Sequence, residues 1–139
     1  MIEFHYETDF ELSDEPKYAD WLCRLVTSEK SNIGHLDYIF CPDEYLLEKN
    51  KQFLNHDTYT DIITFDYSEG KIIAGDIFIS VDRLLENSDE YNVRFEEELL
   101  RVMSHGVLHL LGYNDKSETE SKVMRKKENE KIKLFHVEH

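Results

Sequence analysis

The stretch RFEEELLRVMSHGVLHLL, Arg94 to Leu111, constrains the fold more than any other part of the chain. Its apolar residues, among them Phe95, Leu99, Val102, Met103, Val107 and Leu110, surround most of a helix instead of lining one stripe, which marks the helix as buried. The rest of the chain must then cover it. His105 and His109 interrupt the apolar surface on one face, and Gly112 ends the run.

Around this helix the sequence alternates between two periods. MIEFHYE and HLDYIFC read as strands, with the helix DEPKYADWLCRLVTSEK between them, opened by acidic residues and proline and carrying Trp21, Leu22, Leu25 and Val26 at helical spacing. DEYLLEKNKQFLN reads as a helix, and TDIITFDY and KIIAGDIFIS as a hairpin turned at SEG. VDRLLENSDEY is a weaker helical stretch, and SETESKVMRKKENEKIKLF a charged closing helix. The expected class is α+β: a small mixed β-sheet packed against helices. With no internal repeat and no Pro-, Gly- or Ser-rich linker, residues 1–139 are expected to form one domain.

Charge narrows the partners. Sixteen basic residues against 30 acidic ones give a formal net charge of −14, which repels polyanions and disfavours general coating of nucleic acid. Nucleic-acid chemistry would need a local basic patch, a metal, or a partner that delivers the substrate. Lys122, Arg125, Lys126, Lys127, Lys131 and Lys133 could form such a patch. The interleaved Glu118, Glu120, Glu128 and Glu130 instead favour a solvated helix face. Cys23 and Cys41 lack the number and spacing of a disulfide framework and read as buried, reduced thiols. No basic, apolar leader opens the sequence and no stretch approaches the roughly 18 apolar residues of a membrane span, so a cytoplasmic protein with no membrane partner is expected.

The chemistry concentrates in HGVLHLLGYND, residues 105–115. Imidazoles four residues apart on a helix sit one turn above each other and can grip one ion. A left-handed stop at Gly112 would swing Asp115 back toward the same face, placing the site at the end of the buried helix. Three protein ligands leave a position open for water or substrate, as catalytic metal sites require. Histidines at this spacing also occur as core residues bonded to backbone, with Asp115 capping the next helix at DKSE.

The same stretch resembles the YbeY family of endoribonucleases, or rRNA maturation factors, whose signature runs HGxLHLxGYxH. NKQFLNHDTYTDIITF is similar to the family's N-x-x-[YF]-R-x-x-D-x-x-TDVLSF segment, and AGDIFIS to its GDI strand. The resemblance runs from Asn50 to Met124. It implies a YbeY-like fold and a metal-dependent, single-strand-specific endoribonuclease. The implied role is in ribosome quality control and rRNA maturation, including processing of the 3′ end of 16S rRNA. It also implies one Zn²⁺ or another divalent transition metal per chain, held by His105, His109 and Asp115. Single-stranded RNA, the small ribosomal subunit and assembly factors are the implied partners. Asp115 stands where the family has its third histidine, and Leu54 where it has a functional arginine.

Arg101, one turn before His105, is the candidate to take over that arginine's catalytic role beside the ion's water; pairing with Glu97 or Glu98 is the alternative. Asp61 and Asp76 are expected near the cleft as positioning groups, with a structural role at the strand ends as the alternative. Two other functions remain open. One is a ribosome-assembly binding factor with a structural metal, favoured by the −14 charge and Leu54. The other is a metalloprotease, disfavoured because HExxH enzymes need a glutamate where this chain has Gly106.

Overall fold

The computed structural model describes residues 1–54 and 60–137, with the side chain of Leu54 left out. The departure noted at Leu54, and the segment 55–59 after it, therefore lie outside what is described. Four strands, β1 (Ile2–Tyr6), β2 (Asn32–Cys41), β3 (Ile62–Asp66) and β4 (Ile72–Ser80), form one sheet in the order β1-β2-β4-β3. The first three in that order run parallel, and β3 pairs antiparallel with β4, giving the mixed sheet and the hairpin expected from the sequence. The helices are α1 (Glu15–Ser28), α2 (Asp43–Leu54), α3 (Val81–Glu90), α4 (Phe95–Leu110) and α5 (Glu118–Phe135).

Local signals set the helix starts. Asp14 caps α1 by accepting from the Lys17 amide, with proline in the first turn. Ser80 ends β4 and caps α3 through the Arg83 amide, so strand passes directly into helix. α4 has no side-chain cap; Glu96, Glu97 and Glu98 instead place negative charge in its first turn, where the helix dipole favours it. Ser117 and Glu120 form a capping box on α5.

Strand alternation splits the interior in two. Tyr38, Phe40, Ile77 and Ile79 face the main core with Trp21 and Leu25 of α1, Leu100, Met103 and Val107 of α4, and Phe135 of α5. On the other face Cys41, Leu46 and Ile63 pack with Tyr45, Phe65 and Phe78, under α2. α4 lies close on the sheet because residue 106 is glycine: a Cβ there would stand 3.0 Å from Ile62 Cδ1 and from two carbons of Ile77.

Three readings of the sequence are corrected. β2 begins at Asn32, three residues earlier than the apolar run suggested, through an irregular register between Ile33 and Leu36. Cys23 is exposed: it follows the buried Trp21 and Leu22 but faces away from the core, whereas Cys41 is buried, with its thiol pushed up to about 12 by desolvation. The closing helix is more than a solvated face, since Met124, Glu128, Lys131 and Phe135 are all buried. None of the described helices is long and apolar enough to cross a membrane.

Candidate metal centre

α4 ends in a hydrogen-bonded reversal that builds half of the site. Gly112, at φ +104°, donates its amide to the His109 carbonyl, and the Tyr113 amide reaches back to the Leu108 carbonyl, the paired bonds of a Schellman stop. The reversal has two results. It brings the Tyr113 carbonyl to 2.9 Å from His109 Nδ1, and it returns Asp115 to the face that carries both histidines. Asp115 does not cap α5, which is capped by Ser117.

The opposite side of the site comes from α5. Glu128 Oε2 lies 2.6 Å from His105 Nδ1. A carbonyl and a carboxylate only accept, so both Nδ1 atoms carry hydrogen, and both neutral rings present an Nε2 lone pair inward. Those Nε2 atoms stand 2.9 Å apart, with Asp115 Oδ2 at 3.3 Å from one and 3.6 Å from the other. Two lone pairs and a carboxylate oxygen converging on one point repel one another unless a cation lies among them. The donor set therefore fits a metal ion, with Glu128 and the Tyr113 carbonyl fixing tautomer and ring orientation from behind.

The surroundings of His105 favour positive charge at this point, which a proton supplies when no ion is bound and must give up to one. Burial works against the charged form of His105. The hydrogen bond and charge of Glu128, with the charges of Asp115 and Asp61, outweigh it and raise its pKa. Two adjoining cavities of about 370 and 710 Å³ open on the group and share Asp61, Ile62, His105 and Asp115.

Comparison with known proteins identifies the family. The sequence model described as Endoribonuclease YbeY matches residues 3–136. The chain is 57% identical to the Endoribonuclease YbeY of Flavobacterium psychrophilum over 137 residues, covering 99% of this chain and 98% of that one. With the protein of the same name from Flavobacterium johnsoniae the identity is 55%, covering 99% of each. The chain belongs to the endoribonuclease YbeY family. A solved structure agrees with the fold: TM1509 of Thermotoga maritima, determined in solution, superposes with a TM-score of 0.69 at 29% identity, over 97% of this chain and 89% of that one.

Arg101 reaches the rim of this YbeY-family site, but its partners are not those expected from α4. Its Nη1 donates to Glu128 Oε1 at 3.0 Å and its Nη2 to Asn129 Oδ1 at 2.9 Å, both across the helix interface on α5. The guanidinium therefore shares a carboxylate with His105. Asp61, just before β3, lines both cavities as expected. Desolvation raises its pKa, and Asn87 Nδ2 stands 3.4 Å from its carboxylate and 3.4 Å from that of Glu98. Asp76 is corrected. It lies on the other face of the sheet, 3.3 Å from Tyr67 Oη and beside Asp37.

Reading the sequence missed Glu128, Glu98 and Asn87. Glu128 had a signal: Met124, Glu128, Lys131 and Phe135 recur at one helical face, so two charged residues occupy positions that the period assigns to the interior. Lys131 Nζ is held by Ser28 Oγ at 2.8 Å and Glu29 Oε2 at 2.7 Å. Glu29 also receives Lys127 Nζ at 3.1 Å and Tyr113 Oη at 2.6 Å. One carboxylate thus ties the end of α1 to α5 and to the loop that orients His109.

Proposed function

We propose that residues 1–139 act as one cytoplasmic, metal-dependent hydrolase domain that cleaves single-stranded rRNA internally during ribosome maturation and quality control. Membership of the endoribonuclease YbeY family supports the reaction class. The single observation that carries the site assignment is the convergence of His105 Nε2, His109 Nε2 and Asp115 Oδ2 with both Nδ1 atoms already occupied. Two imidazoles and one carboxylate suit Zn²⁺, and three ligands leave room for water and substrate. A divalent ion there supplies Lewis acidity, lowering the pKa of water toward neutrality and offsetting charge on the phosphodiester.

The chain's own groups do the rest. Glu128 and the Tyr113 carbonyl hold the imidazoles in the ligating tautomer. Asp61, desolvated at the cavity wall, is placed to accept a hydrogen bond from substrate hydroxyl or water. Arg101 and Arg125 line the smaller cavity and Lys116 the larger, and they would meet phosphate there, Arg101 as the candidate catalytic arginine. Peptide hydrolysis is disfavoured, because the position after His105, where HExxH enzymes carry their glutamate base, is Gly106 and offers no side chain.

The −14 net charge favours a second reading, in which the ion is structural and the chain is a ribosome-assembly factor that binds without cutting. One experiment separates them. Protein purified without chelators or affinity metals is analysed for bound elements and assayed on single-stranded RNA from the small-subunit rRNA. Near-stoichiometric Zn²⁺ and cleavage that His109→Ala abolishes without unfolding support the enzyme. A metal-loaded, folded chain without cleavage supports the binding factor.

A further inference from the structure

The face of the sheet turned away from α4 carries a second group of metal-type donors at its β1–β2 end. Glu3 of β1 is the direct cross-strand partner of Asp37 of β2, and Asp37 is in turn the partner of Asp76 of β4. Three carboxylates thus stand in one row across three strands, where like charges directly opposite each other destabilise a sheet. Imidazoles flank the row. His35 Nε2 lies 2.6 Å from Asp37 Oδ2 and 3.6 Å from Glu3 Oε2, and His5 Nε2 lies 2.8 Å from Asp37 Oδ1. Donor atoms of Glu3, His35 and Asp37 all lie within 4.8 Å of one another.

The chemistry of this set decides what it would take. Ca²⁺ and Mg²⁺ prefer all-oxygen shells, whereas one imidazole with two carboxylates suits a borderline divalent transition ion. Asp37 is the least exposed of the three and can offer one oxygen to an ion while His5 holds the other, the arrangement in which an outer hydrogen bond orients a ligating carboxylate. We propose that Glu3, His35 and Asp37 form a second site for a divalent transition-metal ion, with His5 as the positioning residue for Asp37. It lies across the sheet from His105. An ion held there joins the edge strand β1 to β2, which the Met1 amine already grips at the Gly34 carbonyl, 2.7 Å away.

Zn²⁺ alone is titrated by calorimetry into the full chain after chelator treatment. The expected result is two classes of site. The weaker class disappears in His35→Ala and in the nearly isosteric Asp37→Asn, and persists in the double variant His105→Ala, His109→Ala. In the double variant His105→Ala, His109→Ala, sub-stoichiometric Cu²⁺ broadens amide resonances of β1 and β2, and RNA cleavage by His35→Ala stays at the wild-type rate. A wild type that shows no class abolished by His35→Ala, or a second class that survives both His35→Ala and Asp37→Asn, overturns the proposal. Loss of the stronger class alone counts against the metal reading of His105 and leaves this one standing.

Discussion

Glu128 Oε2 stands 2.6 Å from His105 Nδ1, while Oε1 of the same carboxylate takes Arg101 Nη1 at 3.0 Å. The carboxylate is buried at 5% exposure, and these two partners, with Arg125 Nη1 4.0 Å from Oε1, make burial of its charge tolerable. It therefore links the candidate ligating ring on α4 to the one arginine of that helix, and does so from α5. A carboxylate behind a ligating imidazole makes the ring a better donor and fixes its direction.

Glu128→Gln keeps the shape and an acceptor oxygen but removes the charge. Metal affinity is expected to fall about 10- to 100-fold, the usual effect of losing such an outer partner. Competition against a chelating dye measures it, with circular dichroism confirming the fold. Unchanged affinity would mean that His105 does not depend on Glu128 for its ligating state.

How much of this was open to reading from sequence depends on where each partner lies in the chain. His105, His109 and Asp115 sit within one helix and its stop, so their spacing permits one site, and the family resemblance singled it out over core histidines and a capping aspartate. Glu128 lies on another helix, among residues that look like an ordinary solvated face, and only packing reveals that α5 turns it inward. Asp76 was misplaced for a different reason. In IIAGDIFIS both faces of β4 are covered, so the apolar pattern does not say which side each residue takes. The paired register settles it, since Ile77 and Ile79 enter the core beneath α4 and Asp76 points the other way.

Glu29 carries an acid-sensitive share of stability. Burial raises its pKa, but hydrogen bonds from Lys131, Tyr113 and Lys127 outweigh this and hold it near 2. A depressed carboxylate stabilises the fold above its unfolded pKa of about 4.3 and loses that contribution as pH falls toward 2. The shift corresponds to roughly 3 kcal/mol at neutral pH. Glu29→Gln should therefore melt roughly 10 °C lower at pH 7. The gap to wild type should close between about pH 4.3 and 2. A gap independent of pH would show that the loss is one of packing, not charge.

A carboxylate at position 115 gives an ion more negative charge than a neutral imidazole would, which weakens its Lewis acidity. Asp115→Ala is expected to lose most of the bound metal. Asp115→His is expected to keep it, with the rising limb of the pH–rate profile moved to lower pH. Elemental analysis and the profile are read together. A variant with full metal content and an unmoved profile would show that the group titrating in the rate is not controlled by the ion.

Arg101 poses the sharpest question, because its fork is already engaged by Glu128 and Asn129 while it lines the cavity with His105 and Asp115. An anionic transition state among Asp61, Glu98 and Asp115 needs a cation besides the metal, and at the position of the family's arginine this chain has Leu54. If Arg101 meets the reacting phosphate, Arg101→Ala should lower kcat about 10- to 1000-fold, roughly 1.4–4 kcal/mol, with metal affinity little changed. If it serves only to neutralise Glu128, metal affinity and Tm should fall and the rate per loaded, folded molecule should stay at the wild-type value. Arg101→Lys divides the two further: it keeps a charge near phosphate but cannot hold Glu128 and Asn129 together. Adding Leu54→Arg to Arg101→Ala then tests whether an arginine at the family's position restores cleavage. A rate that recovers places the cation requirement on the phosphate, and a rate that does not recover ties it to the position of Arg101 itself.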